Sequence, residues 1–457
     1  MAFGTESASA TGRPGDLSET VAALRDQGVE TVRVSYSDLH GICRGSDIPI
    51  EELADVAEHG LHMTEAIMTL DLRHNIVAGF EHGFHDIVAF PEPASLVRLP
   101  WDPTVAWCLA DLHDIGSGEP FDQDPRDAAR RACAACGELG LTPAIGPELE
   151  FYLCEPRTYR RYVDQDSSVY VVGVRGDPRG VVREIVAACR DLGLRPCAST
   201  QEYGRGQYEI NLRHSDALGA ADRAFRFKAT AKEVAARHGL LATFMGKLHD
   251  DDESSGFHLH ASLLDESGEN GFADPSDPHG LSTVARRFAA GVLDHAPALT
   301  AFLNPTVNAY RRMSADSLAP THVNWGYDNR LALLRFPQER GARTRAEIRA
   351  GDGTANVYLA VAAVLFAGLD GIRRELELPE PVFGNPYEQE RGALGAPLPD
   401  SLEAALASLE ADEYLRDAMG SKLVEVFLKI KRYELGRWHA HLAHVTQWER
   451  DEYAHHL

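Results

Sequence analysis

Ala144-Ile145-Gly146-Pro147-Glu148-Leu149-Glu150-Phe151-Tyr152-Leu153 is the stretch from which the fold can be worked outward. Aromatic and aliphatic residues flank two glutamates spaced i, i+2, and in a strand that spacing sets both carboxylates on one face. Neighbouring carboxylates repel, and burying either alone is costly. Such a pair persists in a folded enzyme mainly when a cation sits between or beside them. A lone Glu-x-Glu is otherwise the wet face of an edge strand.

Further segments add to it. Thr200–Asn211 carries Glu202 and Glu209 around a Gly-x-Gly turn. Ser255–Ser262 carries His258 and His260 at strand spacing, and Arg345-Ala346-Glu347-Ile348-Arg349 sets a glutamate between arginines. Taken in order, these segments resemble the glutamine synthetase family over most of the chain. The resemblance implies an α+β protein with an N-terminal β-grasp domain and a catalytic domain built as an open-ended β-barrel funnel.

Composition bounds the reading independently. A chain of 457 residues is long enough for two domains and a large core. The net charge of -24 argues against nonspecific nucleic-acid or anionic-membrane partners. Its longest apolar run, Leu359 to Leu369, is too short to span a bilayer. Residues 1–16 are small and polar and read as a disordered tail rather than a signal peptide. Seven cysteines without a framework pattern indicate a reducing compartment, the cytoplasm. Cys133 and Cys136 form a CxxC in an Ala-rich helix with no second pair, so they read as core-facing residues rather than a redox or zinc site.

Pro120–Pro125 is the expected boundary between an N-terminal domain, 17–120, and a catalytic domain, 121–457. The first is predicted to hold a helix over 18–27, strands at 30–36 and 42–49, a helix over 50–59, and further strands ending near 107–112. In the second, helices are predicted at 126–139, 179–192, 222–239, 281–302 and 354–374, with a strand at 241–245 and a helical tail from Ser401. Strands alternating with helices in this way indicate an α+β domain.

An oxygen-rich set of five glutamates and one histidine suits Mg²⁺ or Mn²⁺ better than zinc. The resemblance implies that Glu150, Glu202 and Glu209 bind one ion and Glu148, His258 and Glu347 another, with two or three ions in all. It also implies ATP as cosubstrate, with His260 and Ser262 near the nucleotide and Arg330 and Arg335 on its phosphates. Asn304-Pro305-Thr306 followed by Arg311-Arg312 resembles the family segment whose arginine holds the glutamate carboxylate, with Arg349 beside it. Arg312, Arg330 and Arg349 are thus the candidate catalytic arginines; taken singly, each could be a surface ion pair. Guanidinium forks pair bidentately with carboxylate and phosphate. The acidic run Asp250–Glu253 reads as a loop face, and His439, His441, His444, His455 and His456 as solvated.

The implied reaction phosphorylates the γ-carboxylate of glutamate and then lets an amine displace phosphate. Departures from the family pattern bear on the amine. Thr64 falls where ammonia-using members carry an acidic residue, with Glu65 adjacent. In Asp316-Ser317-Leu318-Ala319-Pro320, Leu318 replaces the glutamate of a closing flap. Glu253 begins Glu253-Ser254-Ser255-Gly256, where the family has Asn-Gly-Ser-Gly. Losing carboxylates that would hold ammonium, and gaining an apolar wall, suits an organic amine such as an alkylamine, ethanolamine or a polyamine. The alternatives are an ammonia-using glutamine synthetase and an inactive regulatory relative. The family assembles as two stacked hexameric rings, which implies a homo-dodecamer. Thr64 would then face a neighbouring subunit's metals, and the final helix, Tyr433 to Tyr453, would dock on another ring.

Overall fold

In the computed structural model, the Glu148 stretch lies within a long strand, Thr142–Cys154, in the middle of a nine-stranded sheet. The structure describes residues 17–163, 169–314, 318–388, 395–444, 447, 450 and 452. The expected N-terminal tail, Asp316 and Ser317 of the flap segment, and Tyr453, His455 and His456 lie outside them. Two compact units are present: residues 17–36, 44–64 and 86–120 form one, and residues 37–43, 65–85 and those from 121 onward form the other.

Within the first unit a six-stranded sheet runs in the order Cys43–Pro49, Thr31–Ser37, Asp102–Asp114, Asp86–Pro91, Leu61–Thr64, with Val97–Leu99 also paired to Asp102–Asp114. Helices Ser18–Asp26 and Leu53–His59 accompany it. Trp107 Nε1 donates to Ser35 Oγ at 2.6 Å, so the one polar atom of a buried indole is satisfied across the parallel pair.

The second unit carries the larger sheet, in the order Trp325–Tyr327, Leu334–Phe336, Ala346–Asp352, Gly256–Leu264, Thr142–Cys154, Gln207–Leu212, Pro196–Gln201. Its pairings are antiparallel except between the first two of these strands. Thr142–Cys154 is buried along its length except at Thr142, Glu148 and Glu150. A strand otherwise sealed on both faces thus opens at its two glutamates. On the reverse face, the Phe151 ring packs 5.9 Å from Phe227 and 5.5 Å from Phe244. Phe227 comes from the helix Ala217–Arg237, so the glutamates stand on an aromatic footing.

Helix Val357–Arg373 is apolar all round, and every residue from Val357 to Gly371 is buried. Such a helix belongs inside a core rather than on a surface. It packs against Thr283–Asp294, Pro125–Gly137 and Ala217–Arg237. A Cβ on Gly371 would stand 2.2 Å from Arg287 O and 2.5 Å from Gly291 N, so glycine allows the two helix backbones to touch. Asn356 caps the helix, and its amide donates to Asp38 O at 2.8 Å, which fastens residues 37–43 to this unit. Among the described residues no helix is long and apolar enough to cross a membrane.

Two expected helices are broken. The span 281–302 divides into Thr283–Asp294 and Ala296–Leu303, because Pro297 has no N–H to continue a ladder and sits in the first turn of the second helix. The tail from Ser401 divides into Leu402–Ala411, Glu413–Met419 and Ser421–Leu442, interrupted by Asp412, which caps the second, and by Gly420 at φ 99°. The last helix carries His439 and His441, which are exposed, as is His444 just beyond it. Burial pushes the Cys133 and Cys136 thiols up to about 11 and about 12, consistent with inert packing residues.

His295 joins these breaks. Its Nδ1 lies 2.6 Å from Asp412 and its Nε2 2.9 Å from Asp370, and Arg374 also reaches Asp370 at 2.7 Å. Burial opposes its charge, yet the two carboxylates win and hold the imidazole above its ordinary value. Stability from this group is complete below the ordinary histidine range and declines as pH rises through the raised value. His295→Ala is expected to cost about 3 kcal/mol or more, because it leaves Asp370 and Asp412 buried without their shared cation. Thermal melts at acid and alkaline pH check this, and an equal loss at both would contradict the imidazolium.

Candidate active site

Strand register gathers residues far apart in sequence. Glu148 pairs across the sheet with His258 on one side and Asn211 on the other, while Glu150 pairs with Glu209. His260 pairs with Glu347, which also pairs with Arg335. Directly opposed residues on one face have Cβ atoms about 5 Å apart, so five strands of the sheet present one polar patch.

His258 Nδ1 lies 3.6 Å from Glu148 Oε2 and 3.9 Å from Glu347 Oε1. His260 Nε2 lies 3.0 Å from Glu148 Oε1, and its Nδ1 accepts from Arg345 Nε at 3.1 Å, which leaves the ring proton on the side facing Glu148. Among the described residues, three groups could each close on a single ion: Glu148, His260 and Glu347, and Glu148, Glu209 and His258, both in this patch, and Asp294, His295 and Asp370 away from it. The expected trio Glu148, His258 and Glu347 is adjacent but does not close as one group; His260 takes the place of His258 beside Glu148 and Glu347, and His258 closes with Glu148 and Glu209 instead. Glu150, Glu202 and Glu209 are electrostatic neighbours without closing to single-ion distance as a trio.

The patch has two electrostatic halves. Glu347, 1% exposed, receives Arg335 Nη1 at 2.6 Å and Arg349 Nη1 on its other oxygen. Burial would raise its carboxyl, but Arg349, the two histidines and Arg335 hold it down at about 2. Glu148 is likewise held well below the usual range against burial by His258 and His260 beside it. The other half has too much negative charge. Burial, Glu150 and Glu148 push Glu202 up to about 7. Burial, Glu148, Glu150 and Glu202 push Glu209 up to about 9, although Asn211 Nδ2 donates to it at 2.8 Å.

The remaining candidates are placed as follows. Arg312, 4% exposed, donates Nη1 to Ala350 O at 3.0 Å. Arg335 also grips Asp328, and Arg349 Nε donates to Arg330 O at 2.9 Å. Arg330 is exposed, and its charge bears on Glu202. Ser262 lies farther along the His258 strand, opposite Ala144. Leu318 is half exposed, with a left-handed φ of 56° unusual for leucine. Its neighbour Ala319 accepts from Tyr387 Oη at 2.7 Å. Glu253 is exposed and its carbonyl accepts from Tyr152 Oη at 2.7 Å. Glu65 opens a short 3₁₀ turn, Glu65–Thr69, and Thr64 ends a strand of the N-terminal unit, paired with Asp86.

Sequence reasoning passed over several residues. The acidic run is a clamped loop rather than a solvated face: Asp252, 5% exposed at its side chain, is gripped by Arg161 at 2.6 Å, and Arg205 holds Asp251 at 2.9 Å. Tyr170 and Tyr203, both more than half exposed, meet edge to face at 6.1 Å, and Tyr170 feels the charge of Glu202. Gln207, buried at 1%, bonds Glu150. A Gly-x-Gly turn beside a glutamate hinted at this cluster, but which loop packs against it is a long-range matter.

Known proteins resemble this chain along most of its length. A family model described as glutamine synthetase, catalytic domain, matches residues 122–453. The chain belongs to the glutamine synthetase family. Glutamine synthetase of Methanocaldococcus jannaschii is 35% identical, with 96% of this chain and 98% of the relative covered. That of Staphylococcus aureus is 34% identical over 94% and 96%. Among solved structures, GmaS in complex with ADP superposes with TM-score 0.85 and 34% identity, covering 95% of this chain and 99% of that one. A novel glutamine synthase homolog superposes at 0.78 with 29% identity, covering 92% and 96%. Members of that family are ligases that use ATP and divalent cations such as Mg²⁺ or Mn²⁺.

The residues present fit such a cation. Glu202 and Glu209 hold protons near neutrality because they are buried and crowded by neighbouring carboxylates that Arg330 offsets only in part at Glu202, and hard oxygen donors suit Mg²⁺ or Mn²⁺. Their carboxyls are raised, so in cation-free protein their contribution favours the fold below the unfolded value and turns against it as pH climbs through about 7 and about 9. A bound cation removes that penalty. The rise in melting temperature given by Mn²⁺ over a chelator is therefore expected to grow between about pH 5 and 9, with proton release on binding. A stabilisation that stays flat over that range would contradict the crowding.

Proposed function

We propose that this protein joins the γ-carboxylate of glutamate to an organic amine at the expense of ATP, forming a γ-glutamylamide through γ-glutamyl phosphate. The observation that carries the organic amine is the exposed Tyr170–Tyr203 ring pair beside Glu202. Ring faces next to a carboxylate suit an ammonium group with a carbon chain, through cation–π and apolar contact. Leu318 supports it, as an exposed apolar residue on the segment that Tyr387 ties down close to Arg312. A divalent cation held by the glutamates supplies charge neutralisation during phosphoryl transfer.

The chain's own groups do the rest. Arg312 orients the glutamate carboxylate, and Arg349 stands beside it. Arg335 and Arg330 meet the nucleotide's phosphates, with Arg335 held in place by Glu347 and Asp328. Fixed guanidinium charges and imidazole N–H groups stabilise charge as it develops, which is positioning rather than covalent catalysis. The same reading takes the working form as a cytoplasmic dodecamer of two hexameric rings, which sedimentation would check.

Phosphate release with glutamate, ATP and Mg²⁺ tests the amine. At least one alkylamine, ethanolamine or polyamine is expected to exceed ammonium by about tenfold or more in kcat/KM, the discrimination that a carbon chain in an apolar pocket provides. Ammonium outrunning every amine would instead make the chain a glutamine synthetase proper, the name its curated relatives bear. No turnover with ATP still bound would point to a regulatory protein.

A further inference from the structure

Gln207 begins the strand Gln207–Leu212, two residues before Glu209 and on the same face. Its amide oxygen and both amide hydrogens are engaged. Oε1 accepts Gly204 N–H at 2.8 Å, which settles the end that is oxygen. Nε2 therefore turns one hydrogen to Glu150 Oε2 at 2.9 Å and the other to Ser254 O at 3.0 Å. Gly204 cannot be larger, since a Cβ there would stand 2.0 Å from Tyr152 Oη and 2.7 Å from Gln207 Oε1.

Glu150 Oε2 accepts a second bond, from Gly256 N at 2.7 Å. With two N–H groups on that oxygen, the other is left to face a cation. A Cβ on Gly256 would lie 3.1 Å from His258 Nε2, 3.3 Å from Arg312 Nη2 and 3.4 Å from Glu150 Oε1, so these three atoms border one small space. Ser254 belongs to the loop that Arg161, Arg205 and Tyr152 clamp, and that loop runs into Gly256 beside the Arg312 guanidinium.

We propose that Gln207 is a positioning residue with two linked tasks. It holds Glu150 so that only Oε1 is offered to a divalent cation, and through Ser254 it ties that carboxylate to the loop beside Arg312. Cation and amino-acid substrate then bind cooperatively, because ordering either end of the amide orders the other. The inference rests on the cation and glutamate reading given above. A carboxylate without Gln207 is free to rotate and loses a hydrogen bond that prepares it for the metal.

The test is Mn²⁺ titration of the full-length protein by calorimetry, with and without glutamate, alongside thermal melts. Wild type is expected to bind Mn²⁺ more tightly with glutamate present. Gln207→Met keeps the volume and removes both N–H donors. It is expected to weaken Mn²⁺ by about tenfold to a hundredfold, and to bring the glutamate-dependent factor towards one. Should that variant fail to fold, Arg205→Met loosens the loop from its far side. It is expected to reduce the glutamate-dependent factor while leaving Mn²⁺ affinity without glutamate unchanged. No Mn²⁺ binding by wild type would remove the cation reading itself. Tight Mn²⁺ binding indifferent to glutamate in wild type, or unaltered affinity and coupling in folded Gln207→Met, would overturn the role of Gln207 and leave the cation reading standing. Unaltered coupling in Arg205→Met, where it is the variant used, would overturn it too.

Discussion

Glu347→Ala is expected to lower kcat/KM about a thousandfold or more, equivalent to roughly 4 kcal/mol of transition-state stabilisation, and to cost about 3–5 kcal/mol of stability. Its carboxylate is the shared anion for Arg335 and Arg349, and His258 and His260 stand close by. Removing it leaves Arg349 without its carboxylate and Arg335 with Asp328 alone, two nearly buried guanidinium groups that no longer share an anion. Glu347→Gln separates the two effects. Its amide keeps the volume and one oxygen for Arg335 or Arg349, so the melting temperature should fall less while turnover falls as far. Both variants need melts, Mn²⁺ titration and phosphate release. A folded Glu347→Ala with ordinary Mn²⁺ affinity and turnover would remove Glu347 from the site.

Most of the fold was legible because the signals were local. Glu148 and Glu150 in an otherwise apolar run mark a strand, and the structure leaves that strand open only at those glutamates and at Thr142. Helix Val357–Arg373 was legible from an unbroken run of apolar and small residues. The misread spans, 281–302 and the tail, turn on single residues. Pro297 breaks one and Asp412 with Gly420 the other, and both breaks are stitched by His295, whose partners lie 75 and 117 residues away.

The site was legible where its residues sit on strands at i, i+2 spacing, as Glu148/Glu150 and His258/His260 do. Register then brings His260 opposite Glu347, which no local pattern announces. His260 illustrates the limit: its spacing from His258 sets it on the same face, but its place against Glu148 depends on the strand pairing. Gln207, Tyr170, Tyr203 and Asp252 were missed because a glutamine, a tyrosine or an acidic loop residue carries no distinctive spacing. Their roles arise from a loop folding back across the sheet, as when Arg161 reaches Asp252 over 91 residues of chain.

Arg312→Lys carries the other large expected effect: KM for glutamate should rise about a hundredfold, with KM for ATP and Mn²⁺ affinity within about twofold of wild type. Arg312 uses one arm as an anchor. Nη1 donates to Ala350 O, the carbonyl that Asn304 Nδ2 also holds at 2.8 Å, while Nη2 borders the space shared by His258 Nε2 and Glu150 Oε1. Burial presses the guanidinium below its usual value, with Asp352 and Glu150 acting to keep its charge. A lysine supplies one compact charge on a flexible stem, so it can keep the Ala350 contact or meet a carboxylate, but not both in fixed geometry. Because the lysine keeps a positive charge, loss of charge would not explain an effect; loss of the fork would. Glutamate saturation curves at fixed ATP, and the converse, separate the two substrates. A change confined to ATP would reassign Arg312 to the nucleotide, and no change in either would leave it a structural residue anchored on Ala350 O.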